Sequence, residues 1–271
     1  MIVFPNCKIN LGLHILRKRS DGYHDLETVF YPIPLRDGLE IIHSDGKEEI
    51  TFTTSGIAIE TAAEENICVS AYRLLKTHYP ELPHIQMHLH KAIPTGAGLG
   101  GGSADGAFAL CALNKKFNLS LTEEQLISYA LQLGSDCPFF IKNTPCYATG
   151  RGEELTTIDV DLSGYKLVLV KPDIHIPTKA AFQNINPDAG RLSLKEIINL
   201  PIEEWQSHLF NDFELPIFKQ YPEIANIRNT LYEQGAIYAS LSGSGSAVFG
   251  IFKKEVSPVL SFPSSYFIKL L

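Results

Sequence analysis

The chain has 271 residues, 45% of them hydrophobic and 20% charged, the composition of a folded chain with room for one large domain or two moderate ones. A net charge of −7 argues against a broad nucleic-acid surface and still allows a small anionic ligand where cations are gathered locally. No apolar run approaches membrane-spanning length. The opening MIVFPNCKIN places a proline and a lysine where a secretory leader needs an apolar stretch. Cys7, Cys68, Cys111, Cys137 and Cys146 are scattered without a Cys-x-x-Cys spacing, so the expectation is a cytoplasmic protein with neither a disulfide framework nor a zinc site.

From the N-terminus, CKINLGLHIL alternates Ile9, Leu11, Leu13 and Ile15 as a half-buried strand does. The polar turn RKRSDGYHD follows, with Asp21-Gly22 as its strongest signal. Its Arg17-Lys18-Arg19 run, flanked by Lys8 and His24, is either a local cationic patch or a solvated turn. LETVFYPIPL, GLEIIHS and EEITFTTSG read as strands, a helix starts near Asn66, and HIQMHLHKAIP reads as a strand running into a glycine-rich stretch. SADGAFALCALNKKF reads as a helix capped by Ser103, and LTEEQLISYALQLG as one capped by Thr122 with Gln125 three residues on. SDCPFFI reads as a strand, and CYATGRGEELTTI turns at Gly150-Arg151-Gly152. Beyond a polar stretch at 152–165, the expected boundary between two halves, come a strand at YKLVLVKP and a helix near PTKAAFQN. Helices near 194–210 and 222–234 follow, then strands at IYASLSGSGSAVFGIF and SYFIKLL. Mixed strand and helix patterns predict an α/β or α+β class.

The glycine-rich stretch is IPTGAGLGGGSAD, with Gly96, Gly98, Gly100, Gly101 and Gly102 inside seven residues. Glycine is costly to order, so such a run has a reason. It is no linker, since it joins a strand pattern to a helix pattern with no spare polar residues. Gly96, Gly98 and Gly101 satisfy G-x-G-x-x-G, but the preceding strand alternates, and Glu123 and Glu124 fall inside a helix pattern instead of ending a strand. No lysine follows as a Walker A loop requires. What remains is a strand, a loop of bare amides and a helix N-terminus, which together suit phosphate oxygens, or a loop that packs closely on another element.

PTGAGLGGGSA resembles the phosphate loop of the GHMP kinases, Pro-x-x-x-Gly-Leu-Gly-Ser-Ser-Ala, and CKINLGLHI and LSGSGSAVFG resemble two further signatures of that family in the same order. KINLGL, RSDGYHDLETVF, GLGGGSAD and LGSDCPFF resemble the subgroup that phosphorylates the 2-hydroxyl of a cytidyl diphosphate sugar-alcohol for isoprenoid precursors. The resemblance implies a two-domain α/β (α+β) kinase fold, with an N-terminal ATP-binding domain at 1–156, a C-terminal domain at 157–271, and nucleotide and substrate sites in the cleft between them. It implies ATP and Mg²⁺ as cofactors and a small-molecule acceptor, with no nucleic acid and no membrane. The ATP contacts it implies are Pro94, Thr95, Gly96, Ala97, Gly98, Leu99, Gly100, Gly101, Gly102, Ser103 and Ala104, with Asn66 and Lys91 at the adenosine and Gly243 and Gly245 in the second glycine loop.

Phosphoryl transfer to an alcohol requires a place for the nucleotide phosphates, a positioned hydroxyl and stabilisation of charge on the moving group. The resemblance implies Asp136 as the base, which by residue pattern alone is more commonly a turn aspartate capping its own backbone. It places Lys8 beside that aspartate and the transferred phosphate, where a lysine on an alternating strand otherwise faces solvent. Asn10 lies two residues on and shares the face of Lys8. Tyr23 is implied to stack on cytosine, His24 to hydrogen-bond its edge, Phe182 to cover its other face and Thr178 to neighbour the acceptor. Asn66, Lys91 and Phe182 have plain alternatives as a helix cap, a surface lysine and a helix-core ring. Gly101 and Gly102 stand where other family members carry serine, so no protein ligand of magnesium is assigned, and the ion is expected to ride on phosphates and water. The rival readings are an NAD(P)-linked oxidoreductase, a non-catalytic nucleotide-binding protein, and a GHMP kinase for another alcohol such as homoserine or a phosphorylated mevalonate. Tyr23-His24 separates the last from the cytidyl reading.

Overall fold

The computed structural model describes residues 1–60 and 62–271. In chain order it forms β1 (Ile2–Val3), β2 (Asn6–Lys18), β3 (His24–Arg36), β4 (Gly38–His43), β5 (Ile50–Gly56), α1 (Ile67–His78), β6 (Ile85–Lys91), α2 (Gly101–Phe117), α3 (Glu123–Leu133) and α4 (Cys137–Lys142). There follow β7 (Cys146–Thr149), β8 (Glu154–Thr157), β9 (Tyr165–Lys171), α5 (Thr178–Ala181), α6 (Leu194–Ile197), α7 (Trp205–His208), α8 (Glu214–Gln220), α9 (Pro222–Glu233), β10 (Tyr238–Leu241), β11 (Val248–Lys253) and β12 (Phe267–Leu270). Two compact units result, each drawn from separated stretches: Met1–Cys7, Pro34–Thr95 and Gly100–Thr144 in the first, and Lys8–Ile33, Gly96–Leu99 and Pro145–Leu271 in the second. The polar stretch at 152–165 therefore lies inside the second unit, because β7 and β8 extend a sheet whose other strands are β2 and β3.

The first unit is a sheet in the order β1-β4-β6-β5 together with α1, α2, α3 and α4. β4 pairs antiparallel to β6, whereas β5 pairs parallel to it across the α1 connection. The alternation read in β6 is realised, with Ile85, Met87 and Leu89 buried beside Leu39 and Ile41 of β4. Asn66 caps α1 by accepting from Cys68 N at 2.9 Å, and Thr122 with Gln125 forms the expected reciprocal capping box on α3. Two expectations fail here. α2 starts at Gly101 with Gly100 as its cap, in the left-handed region at φ +67°, so Ser103 sits inside the first turn. SDCPFFI is the helix α4 and no strand: Pro138 sits in its first turn, where its missing N–H has no helical partner to lose, and Asn143 ends it at φ +50°.

The second unit holds two antiparallel sheets, β2-β3-β7-β8 and β10-β11-β9-β12. Its core joins Leu13 and Ile15 of β2, Val168 and Val170 of β9, Ile224, Ile227 and Leu231 of α9, and Leu241, Val248 and Phe252 of the β10–β11 hairpin. The helix expected over 194–210 is broken into α6 and α7, with Pro201 between them. β2 departs furthest from its pattern. It is buried on both faces, so Lys8 (3% exposed), Asn10 (1%) and His14 (1%) are interior residues.

Candidate active site

A strand that buries polar residues must satisfy them internally. Around β2, in the second unit, two networks do so, apart from His14 Nε2, which is buried without a hydrogen-bond partner among the described residues. In the first, Lys8 Nζ donates to Asn10 Oδ1 at 2.6 Å and to the carbonyl of Gly98 at 3.1 Å. Asn10 Nδ2 in turn donates to Thr28 Oγ1 at 2.9 Å, and Phe30 offers its ring face 4.9 Å below the ammonium. Lys8 is thus no solvent-facing lysine, and the shared face with Asn10 is realised as a direct bond. In the second, Glu27 of β3 is buried. Burial works against its charge, yet His14, Tyr147, Ser193 and the amide of Leu194 surround the carboxylate and hold its pKa at about 2. The distances are 3.0 Å to His14 Nδ1, 2.5 Å to Tyr147 OH, 2.7 Å to Ser193 Oγ and 3.0 Å to Leu194 N.

The glycine stretches meet the same place. Residues Gly96–Leu99 belong to the second unit, and Leu99 O accepts from Lys8 N at 3.0 Å. The β10–β11 loop closes on them: Ser242 Oγ donates to Gly98 O at 2.9 Å and Ala247 N to Ala97 O at 3.1 Å. Gly98, at φ +77°, comes so near that a Cβ would lie 1.9 Å from Ser242 O, an approach only a bare backbone permits. Gly243 lies beside Asn10, a Cβ there meeting Oδ1 at 3.2 Å. Asn211 Nδ2 fixes the loop by donating to the carbonyls of Leu241 and Gly243 at 2.8 and 2.9 Å. Lys8, Asn10, Gly96, Ala97, Gly98, Leu99, Gly243 and the Gly245 loop are therefore one assembly.

The remaining loop residues, Gly100, Gly101, Gly102, Ser103 and Ala104, open α2 in the first unit. Gly101 is required by packing, since its Cβ would lie 2.8 Å from Ile93 Cγ2, while a Cβ on Gly102 would meet nothing within 4 Å beyond its chain neighbours and its own helix backbone. Pro94 and Thr95 lead into the loop from the first unit. Asp136 stands half-buried at the N-terminal end of α4. Lys91 is 2% exposed, its ammonium held by Asp37 and, at 2.7 Å, by Asp105. It is an interior ion-paired lysine and not the surface lysine of the plain alternative. Burial beside the Asp37 carboxylate pushes Asp105 up to about 7 against the pull of Lys91.

The implied base clamp lies in the second unit. His24 and Phe182 stack on each other with ring centroids 4.9 Å apart and planes 17° from parallel, and Phe213 meets Phe182 edge-on at 4.9 Å. Burial and the charge of Lys18 lower the pKa of His24. Tyr23 stands apart, 56% exposed, with the Arg151 guanidinium 5.0 Å over its ring. Thr178 opens α5, 3.4 Å from Ser244 of the second glycine loop. The cationic run is not a free patch, because Asp25 bonds both Arg17 and Arg19, and Asp21 bonds Arg19 as well. Sequence reasoning missed Thr28, Ser242, Asn211 and Arg151. Only Ser242 and Arg151 carried a signal, each standing beside glycines in a turn.

Comparison with known proteins gives the family. Residues 66–143 match the GHMP kinases N terminal domain and residues 193–267 the GHMP kinases C terminal domain. The chain belongs to the GHMP kinases. It is 55% identical over 256 residues to a Bacteroides fragilis 4-diphosphocytidyl-2-C-methyl-D-erythritol kinase, covering 94% of this chain and 93% of the relative. It is 51% identical to the Parabacteroides distasonis protein of the same name, over 94% and 92%. A crystal structure of 4-(cytidine 5'-diphospho)-2C-methyl-D-erythritol kinase superposes with a TM-score of 0.77 at 30% identity, over 93% of this chain and 90% of that one. The Methanococcus jannaschii mevalonate kinase shares the fold, with a TM-score of 0.70 at 14% identity over 94% and 92%. The two-domain α/β (α+β) kinase fold and an ATP-dependent activity follow from the family.

Proposed function

We infer that this kinase transfers the γ-phosphoryl group of ATP to the 2-hydroxyl of 4-diphosphocytidyl-2-C-methyl-D-erythritol, a step in isoprenoid precursor synthesis. The observation that carries the reading is that Lys8, held by Asn10, and Ser242 of the second glycine stretch both donate to the Gly98 carbonyl of the first. A buried ammonium fixed by two acceptors is a preorganised positive charge, the kind that stabilises oxygens gaining charge during phosphoryl transfer. The loop from Pro94 to Ala104 binds the ATP phosphates through its bare amides and the N-terminus of α2, with Asn66 and Lys91 toward the adenosine and Gly243 and Gly245 supporting the loop. Asp136 accepts the acceptor's hydroxyl proton. Tyr23, His24 and Phe182 receive the cytosine, since a flat base is held by rings and edge hydrogen bonds, and Thr178 neighbours the acceptor. By motif rather than by compact unit, 1–156 is the ATP-binding part and 157–271 the C-terminal part.

Mg²⁺ fits this donor set as an ion delivered with ATP. Among the described residues no group of three or more His, Cys, Asp or Glu side chains gathers to cage a metal, and Gly101 and Gly102 offer no side-chain oxygen. Magnesium carried by nucleotide phosphates and water would need few protein donors, and it would supply charge neutralisation on the phosphates. A cytoplasmic location is proposed from the five scattered cysteines, all of them thiols; among the described residues no helix is long and apolar enough to cross a membrane. The net charge of −7 favours small-molecule ligands over nucleic acid.

ADP release with Mg²⁺ tests the reading, comparing the cytidyl acceptor with homoserine and phosphomevalonate beside Asp136→Asn and Lys8→Met. The expected result is turnover with the cytidyl acceptor alone, lost in both variants. Turnover with another alcohol would overturn the base clamp, and full activity of Asp136→Asn would overturn its assignment as the base.

A further inference from the structure

Lys8 is held by Asn10, but an amide side chain has a carbonyl end and an amino end of nearly the same shape, and only the carbonyl end can accept from an ammonium. Thr28 decides which end faces Lys8. Its hydroxyl lies 2.6 Å from the carbonyl of Gly12 and 2.9 Å from Asn10 Nδ2. The Gly12 carbonyl can only accept, so the single proton of Thr28 is committed to it. The oxygen of Thr28 is then left as an acceptor, which takes the amino end of Asn10 and turns Oδ1 toward Lys8 at 2.6 Å. A reversed amide would set donor against donor at Lys8 and leave an oxygen facing the lone pairs of Thr28. All three side chains are 3% exposed or less, so no water offers an easy substitute.

The far end of the relay is fixed as well. Gly12 holds φ +71° within β2, and a Cβ there would lie 2.8 Å from both Leu194 Cδ2 and Leu209 Cδ1. Its carbonyl direction is therefore set by a backbone that side-chain-bearing residues rarely adopt. We propose that Thr28 is a positioning residue for phosphoryl transfer, acting through the relay Gly12 O, Thr28 Oγ1, Asn10 and Lys8 Nζ to hold the ammonium in place without touching either substrate. This rests on the reading that Lys8 serves the transferred phosphate.

The test is steady-state kinetics with ATP and the cytidyl acceptor for Thr28→Val, Thr28→Ser, Lys8→Met and the Thr28→Val/Lys8→Met double variant, each with its thermal midpoint. Thr28→Val keeps the shape and removes the hydroxyl. Its kcat should fall about ten- to a hundredfold, the cost of leaving buried polar groups unmatched, with both KM values changed by less than about threefold. Thr28→Ser keeps the hydroxyl and should restore kcat. In the double variant the loss should equal that of Lys8→Met alone, because Thr28 acts through Lys8. Wild-type kcat in Thr28→Val, no rescue by serine, or losses that multiply in the double variant would each overturn the relay. If Thr28→Val fails to fold, Thr28→Ala takes its place, with at least about a tenfold loss of kcat expected and a wild-type kcat overturning the proposal. Full activity of Lys8→Met would instead overturn the reading of Lys8, whereas an inactive Lys8→Met beside a fully active Thr28→Val would sink the relay alone.

Discussion

Gly102→Ala separates a structural from a ligand-binding reason for the glycine run. Gly96, Gly98 and Gly100 are held at positive φ, and Gly101 is held by the 2.8 Å approach of Ile93. Gly102 has neither constraint: it lies in the first turn of α2, is exposed, and a Cβ there would meet nothing within 4 Å beyond its chain neighbours and its own helix backbone. On the protein alone, alanine should stabilise the helix by about 0.5–1 kcal/mol. The phosphate reading gives the opposite outcome for ATP. Oxygens bonded to the amides of the first turn lie about 2.9 Å from each nitrogen, and a methyl group on the neighbouring Cα would enter that shell. Displacing one or two charge-assisted hydrogen bonds costs about 1.5–3 kcal/mol each. The KM for ATP should therefore rise at least about tenfold, with the acceptor KM little changed. Urea unfolding of the ligand-free protein and ATP titration of initial rates read the two effects separately. An unchanged ATP KM in a stabilised variant would refute the placement of phosphates at this turn, and a destabilised variant would refute the openness of the site.

Three further outcomes follow from the same geometry. Gly98→Ala, with a Cβ 1.9 Å from Ser242 O and a backbone at φ +77°, should abolish turnover by driving the two glycine loops apart, and wild-type activity would show that the Lys8–Gly98 bond is dispensable. Glu27 has its folded pKa lowered from 4.5 to about 2, so its contribution is complete above about 4.5 and is lost as pH falls through about 2. The shift sets a ceiling of about 3 kcal/mol, about 1–2 once the half-buried Tyr147 and Ser193 at its rim are allowed for. Glu27→Gln should therefore lower the thermal midpoint at pH 7 and flatten its fall between pH 4.5 and 2, and parallel curves for the two proteins would count against the network. Tyr23→Ala should raise the acceptor KM about tenfold or more, from the loss of about 1–3 kcal/mol of base stacking, and leave the ATP KM unchanged. Equal shifts in both KM values would remove Tyr23 from the base clamp.

The sequence made legible whatever rests on local chemistry. Thr122 and Gln125 announce a capping box because the two bonds depend only on residues three apart. Lys8 and Asn10 share a face because strand geometry has a period of two. The strand–glycine–helix order survives because glycine conformations are local. What stayed hidden depends on partners distant in the chain. The alternation in β2 looked half-solvated because nothing at positions 8, 10 and 14 shows that Gly98, Thr28 and Glu27 will satisfy them. Lys91 looked like a surface residue because its partners, Asp37 and Asp105, are 54 and 14 residues away. SDCPFFI looked like a strand because six residues are too few to show a helical period, while Pro138 and Asn143 fix its ends only once the helix exists.

Gly12 explains why the site and the scaffold of the second unit are difficult to vary separately. Its carbonyl receives Thr28 and so anchors the orientation of Asn10 and Lys8. Its missing side chain makes room for Leu194, which lies over its Cα. Leu194 is held there by its own amide, which donates to Glu27 at 3.0 Å while Ser193 donates to the same carboxylate at 2.7 Å. The buried carboxylate network therefore presses α6 onto the strand residue that orders the ammonium. Leu194 and Leu209 crowd Gly12, each 2.8 Å from where a Cβ would lie, and interiors at native density transmit strain. A change at Glu27 would then reach Lys8 through Leu194, Gly12, Thr28 and Asn10, with every link a named contact. The polar face of β2 can be buried because its two networks share this single glycine, so the geometry that keeps the strand folded also keeps the ammonium in position.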